Sequence, residues 1–103
     1  MNMMKIVGVT SCPSGVAHTY MAAEALQNAG EEKGYEVHIE TQGAGGADDT
    51  LTVEQIADAD YVVLTNDTSI RGIQRFKGKK VIELSSTVII EKSGALMNKL
   101  AKM

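Results

Sequence analysis

A single cysteine, Cys12, opens the stretch Cys12-Pro-Ser-Gly-Val-Ala-His18-Thr19. A short apolar run ends just before it, small residues follow, and an amphipathic helical pattern then begins. That order sets one thiol at the mouth of a strand–loop–helix unit. A helix N-terminus offers unpaired N–H groups and a partial positive charge. Both lower a thiol pKa and both attract phosphate. A nucleophile and an anion cradle therefore share one segment. Pro13 supplies no N–H, so the amides of Ser14, Gly15, Val16, Ala17, His18 and Thr19 form the expected cradle. Gly15 permits close backbone approach to a ligand. Thr10, Ser11, Ser14 and Thr19 bring hydroxyls around the thiol. A cysteine at a strand end is more often a small buried hydrophobe. The loop formers Pro13, Ser14 and Gly15 argue against that here.

His18 lies six residues after Cys12. It reads either as a partly exposed histidine of a first helical turn or as a donor to a phosphoryl group or thiolate. In tyrosine phosphatases of the Cys-x5-Arg type that spot carries the arginine that clamps phosphate. A loop of that shape with histidine instead would bind phosphate but hold a transition state less tightly. No carboxylate lies in the loop, and His18 is the only titratable neighbour in sequence, so water finds no evident general base.

The other candidates are weaker. Gln42 and Gly43 open a glycine-rich stretch, Gly43 to Thr50, that could flank the first loop; composition alone makes it a flexible connector. It lacks the Lys and Ser/Thr of a nucleotide P-loop. Asn66-Asp67-Thr68 ends a strand on the site face, with Asp67 expected to cap the helix that follows. Arg71 and Arg75 are expected to be exposed charges or partner contacts. His18 and His38 are too few and too separated to make a zinc set with Cys12, and no metal or cofactor is expected.

The elements that must position these groups alternate in period. Lys5 to Val9 reads as a buried strand. Ser14 to about Lys33 reads as a helix with Tyr20, Met21, Ala25, Leu26 and Ala29 on its apolar face, ended by Gly34. Tyr35 to Thr41 is a second strand. Thr52-Val-Glu-Gln55 is a capping box opening a short helix to Ala59. Tyr61 to Leu64 is a strand buried on both faces. Ile70 to Phe76 is a short helix or a turn of helix, stopped by Gly78, and Lys80 to Leu84 a fourth strand. Ser85 to Thr87 cap a last helix reaching Ala101, weakened at Gly94. The pattern predicts an α/β fold: an open four-stranded parallel sheet with helices on both faces and a phosphate-binding loop after the first strand. Ligands of such sheets sit at the carboxyl ends of the strands, where Cys12 falls.

Composition bounds the rest. The 103 residues fit one domain, 1–103. A net charge of −3, no Trp and one Phe argue against nucleic acid. A single cysteine makes no internal disulfide and fits a reducing cytosol. No apolar run approaches the roughly 20 residues of a membrane span. No apolar stripe remains after the helices pack, so a monomer is expected.

Cys12 to Leu26 resembles the fructose-specific enzyme IIB family of the bacterial sugar phosphotransferase system. That family's signature reads Cys-Pro-Thr-Gly-Ile-Ala-His-Thr, followed by a helix beginning like Met21-Ala-Ala-Glu-Ala-Leu26. The likeness continues at Glu40-Thr-Gln-Gly43, at Asp58-Ala-Asp60 and at Arg75-Phe76. Ser14 stands for the family's Thr and Val16 for its Ile. Asn66 to Gly72 departs more, which leaves the sugar open. The resemblance implies that Cys12 receives a phosphoryl group from a phosphohistidine of enzyme IIA. It then passes the group to fructose or a similar sugar held by the membrane enzyme IIC. A cytoplasmic domain that meets the inner membrane through enzyme IIC is implied. Two other readings stand beside it. One is a small phosphatase or arsenate-reductase-like enzyme, disfavoured by the missing arginine and second cysteine. The other is a non-catalytic α/β regulatory module with an inert cysteine.

Overall fold

The computed structural model describes residues 4–12, 16–43 and 46–102, with Val16 described by its backbone alone. The elements are β1 (Lys5–Thr10), α1 (Val16–Glu32), β2 (Glu36–Gly43), β3 (Gly46–Asp48), α2 (Val53–Asp58), β4 (Tyr61–Thr65), a 3-10 turn (Ile73–Phe76), β5 (Val81–Leu84) and α3 (Ser86–Ala101). The sheet order is β3-β2-β1-β4-β5. β1 pairs in parallel with β2 and β4, and β4 with β5. The predicted parallel α/β sheet is present.

It has five strands rather than four. The stretch after Gly43, expected as a connector, turns back so that Gly46–Asp48 pairs antiparallel with Thr41–Gly43. Its composition hides a strand because the segment begins and ends on positive-φ backbone: Gly46, which opens β3, has φ +129°, and Asp49, just after it, has φ +54°. Arg71 then bonds the carbonyls of Gly43 and Gly46 at 2.8 and 3.0 Å, drawing the hairpin in from outside.

Alternation sorts the strand residues onto two cores. Ile6, Val37, Ile39, Tyr61 and Val63 face α1 and α3, which pack side by side. Val7, Val9, Val62 and Leu64 face α2 and the 3-10 turn, where Phe76 is buried. β4 is buried along its whole length, as its continuous apolar run predicts. Gly8 is needed where β1 meets β4, because a Cβ there would sit 2.7 Å from the Val63 carbonyl oxygen.

The helix faces differ in one respect from the expected ones. Ala22, Leu26 and Ala29, spaced i, i+4, i+7, form the packed stripe of α1. Tyr20 and Met21 lie off it and are exposed; the Tyr20 hydroxyl donates to Asp48 and ties α1 to β3. Gly34 ends the helix at φ +77°. Thr52 and Gln55 form the capping box of α2, and Ser85 caps α3. α3 bends at Lys92, whose φ is −129°, two residues ahead of the expected weak point at Gly94. Of the two expected forms, Ile70 to Phe76 takes the shorter: a 3-10 turn that starts at Ile73, because Gly72 is in left-handed backbone (φ +74°). No helix among the described residues is long and apolar enough to cross a membrane.

Candidate active site

Strand order reverses at β1: the chain places β2 on one side of it, then returns to place β4 on the other. The carboxyl ends of β1, β4 and β5 therefore border one crevice. Cys12 follows β1, Asp67 follows β4, and Ser86 opens α3 just after β5. Two bonds from one side chain fix the approach to Cys12. Thr65 Oγ1 accepts the Ser11 N–H and donates to the Ser11 carbonyl oxygen, both at 2.9 Å. The buried Thr10 hydroxyl donates to the Thr19 carbonyl oxygen at 3.0 Å and joins the end of β1 to the first turns of α1.

Cys12 is half-buried. Its Sγ lies 3.0 Å from His18 Nδ1 and 3.4 Å from Ser86 Oγ. Ser86 Oγ is also 3.2 Å from His18 Nδ1, so the three polar atoms form a triangle. Asp67 backs it: its Oδ2 accepts the Ser86 N–H at 3.0 Å and the Ser86 hydroxyl. The Ser86 hydroxyl bond is the main reason the Asp67 carboxyl is held below the usual carboxylate range. Burial opposes that shift; the Ser86 N–H, the Cys12 thiol and the charge on His18 reinforce it.

Cys12 and His18, predicted from the sequence, are thus brought together. Pro13, Ser14 and Gly15 lie outside the described residues. Val16, Ala17, His18 and Thr19 begin α1. Three expectations change. Ser86, buried and far along the chain, supplies a hydroxyl to the thiol, whereas Thr10 spends its own on α1. Asp67 does not cap the next helical turn, whose N-cap is Gly72; it caps the first amide of α3 instead. The site therefore has a carboxylate, which arrives from β4 rather than from the loop. The sequence places Asp67 on the site face, though as a cap of the next helix, and Ser86 only as part of a cap; both lie just past the end of a parallel strand, at the sheet edge where ligands bind.

Gln42, Gly43, Arg71 and Arg75 belong to a second, framework cluster. Glu40 is 1% exposed, and its carboxylate accepts both Arg75 guanidinium nitrogens at 2.8 and 3.1 Å. It also accepts the Leu51 N–H at 2.9 Å and Gln42 Nε2 at 2.7 Å. Burial pushes the Glu40 carboxyl up, but the bonds from Arg75, Gln42 and Leu51 outweigh it and hold the group below its ordinary value. Gln42 also exchanges two bonds with the Arg71 backbone. Arg71 is exposed, as expected, and Arg75 is partly buried; both also fasten β2, β3 and the 3-10 turn together.

Among the described residues, no three His, Cys, Asp or Glu side chains converge as a metal site. The arrangement can hold a thiolate beside a proton-carrying imidazole, open to one side.

Residues 7–99 match the family described as "PTS system, Lactose/Cellobiose specific IIB subunit". The chain is 49% identical over 98 residues to the "PTS system fructose-like EIIB component 2" of Escherichia coli K12, covering 95% of this chain and 92% of that one. It is 44% identical over 95 residues to the "PTS system fructose-specific EIIB'BC component" of Xanthomonas campestris, covering 92% of this chain and 16% of the longer protein. The solution structure of the enzyme IIB subunit of the PTS system from Escherichia coli K12 superposes with a TM-score of 0.93 at 35% identity. That match covers 99% of this chain and 94% of the other.

Proposed function

Because this chain belongs to the enzyme IIB family of the sugar phosphotransferase system, we propose that it carries a phosphoryl group on Cys12 during uptake of fructose or a similar sugar. Cys12 Sγ attacks the phosphorus of a phosphohistidine on enzyme IIA. The sulfur–phosphorus bond forms as the phosphorus–nitrogen bond breaks, and its electron pair returns to the donor imidazole. A hydroxyl of the sugar held by membrane enzyme IIC then attacks the same phosphorus, and the thiolate leaves. Both steps are positioning problems for an in-line displacement.

The observation that carries this reading is the half-exposed thiol 3.0 Å from His18 Nδ1 at the carboxyl end of β1. A proton on Nδ1 favours the thiolate. The N–H groups from Ser14 to Thr19, which follow Pro13, spread the charge of the transferring group. Histidine in place of an arginine clamp keeps the phosphoryl group loosely held, which a relay needs because both transfers must run. Thr10 and Ser11 serve by fixing the backbone that leads to Cys12. Gln42 and Gly43 serve the Glu40 framework. The domain acts as a monomer on the cytoplasmic side, where the sugar emerges.

The test uses phosphorylated enzyme IIA without sugar. A relay accumulates one phosphoryl group per chain, located at Cys12 by mass spectrometry, and Cys12→Ser accumulates none. Steady release of inorganic phosphate without an adduct would identify a phosphatase instead. Label on His18 or His38, with Cys12→Ser still accepting phosphate, would overturn the assignment.

A further inference from the structure

The geometry points to Ser86 and Asp67 as positioning residues that orient the proton of His18 toward Cys12. This deepens the carrier reading and rests on Cys12 being the reactive group. The argument is an inventory of protons. A serine hydroxyl has one hydrogen to donate and lone pairs to accept with. Three acceptors crowd Ser86 Oγ: Asp67 Oδ2, Cys12 Sγ at 3.4 Å and His18 Nδ1 at 3.2 Å. The hydrogen can serve one of them. A bond to a carboxylate is charge-assisted and roughly twice as strong as a neutral one. Asp67 also takes the Ser86 N–H at 3.0 Å, so hydroxyl and amide of one residue converge on the same oxygen. The hydroxyl proton is thereby committed to Asp67.

The lone pairs of Ser86 then face the thiol and the imidazole, where they accept. A neutral imidazole carries its hydrogen on one nitrogen only, and the partner of that nitrogen selects the tautomer. An accepting Ser86 Oγ at 3.2 Å selects hydrogen on Nδ1. Nδ1 is the nitrogen that faces Cys12 Sγ at 3.0 Å, so the same hydrogen is presented to sulfur, which accepts best as thiolate. The order runs from Asp67 through Ser86 and His18 to Cys12. Among the described residues, His18 from α1 and Asp67 from the segment after β4 are the titratable groups brought to the thiol; α3 contributes the Ser86 hydroxyl alone. The Asp67 charge by itself opposes a second negative charge on sulfur. While protonated, the thiol also reaches the Asp67 carboxylate directly; Ser86, which touches Asp67, His18 and Cys12, transmits the orientation of Asp67 to the imidazole.

Two measurements on the intact protein test this without a phosphoryl donor, so their outcome is independent of whether Cys12 carries phosphate. The first reads the tautomer of neutral His18 by long-range nitrogen–proton NMR. The wild type shows hydrogen on Nδ1. Ser86→Ala shifts it toward Nε2, and Ser86→Thr restores it. Asp67→Asn shifts it too. An asparagine amide can donate to Ser86 Oγ, which releases the hydroxyl hydrogen toward Nδ1. The second reads iodoacetamide alkylation of Cys12 at fixed, slightly acidic pH. Ser86→Ala slows it about three- to tenfold, the span of one hydrogen bond, and Ser86→Thr recovers the rate. In a His18→Ala background, Ser86→Ala brings no further slowing, because Ser86 acts through His18. Wild-type hydrogen on Nε2, an unchanged rate in Ser86→Ala, or an equal fall with and without His18 would each overturn the proposal. Should Ser86→Ala fail to fold, Asp67→Asn and Ser86→Thr decide the question through the tautomer.

Discussion

Asp67 accepts both the backbone N–H and the hydroxyl of Ser86, a residue nineteen positions further along the chain. One carboxylate thus caps the start of α3 and sets the edge of the thiol site. The packing of the helix and the chemistry of the crevice meet at a single oxygen.

His18→Ala is expected to slow phosphoryl transfer from enzyme IIA by about 10² or more, the range for loss of a positioned proton donor. Its effect on stability should stay within about 1 kcal/mol, since the ring is only partly buried and its bonds are local to the site. Stopped-flow transfer assays with parallel thermal melts check both. Unaltered kinetics in both directions would make His18 an ordinary surface residue.

Arg75→Ala strands the Glu40 carboxylate, which is 1% exposed, without its cation. Breaking such a pair costs about 3–5 kcal/mol. Arg71→Ala removes an exposed guanidinium that bonds the carbonyls of Gly43 and Gly46. It should cost about 1–2 kcal/mol, and faster amide exchange should be confined to the β2–β3 hairpin. Equal costs for the two substitutions in urea unfolding would contradict this division.

Glu40 and Asp67 both have folded pKa values below their ordinary ones. Each contributes stability that is fully present above the unfolded carboxyl pKa of about 4 and is lost as pH falls through the folded value. Glu40→Gln should therefore destabilise the protein most near neutrality. The gap from wild type should narrow below about pH 4. Urea midpoints measured from pH 7 to pH 2.5 test this; a gap that widens in acid would reverse the sign.

Gly30→Ala sets two effects against each other. Helix propensity gains about 1 kcal/mol. Yet the new Cβ would overlap Val37 Cγ2 where α1 crosses β2. Overpacking a tight contact costs about 1–3 kcal/mol, so net destabilisation is expected, read as a lowered melting temperature.

Alternating periods made the four parallel strands and their helices legible, because hydrophobic spacing reports which face is buried. β3 was illegible: it is held by Arg71, twenty-five positions after Gly46, and is bounded by positive-φ backbone at Gly46 and Asp49. Cys12 and His18 were legible because both lie in one local segment. Asp67 was legible as a site-face residue but not in its role, and Ser86 was legible only as part of a cap, since their pairing exists only once β4 and β5 are laid beside β1. The Arg75 that resembled a free charge is held by a glutamate thirty-five residues earlier, a pairing no local window contains.

The two bonds of Thr65 to Ser11 have a mechanical consequence. A single contact would let the backbone ahead of Cys12 pivot; two, to the N–H and the carbonyl of one residue and so to the peptide groups on either side of it, remove that hinge. The sulfur is mounted on a post whose foot is set in the central strands. Little ordering entropy remains to be lost on that side when a donor or an acceptor docks. Thr65→Val, nearly the same in volume, would leave the post standing but loosen its foot.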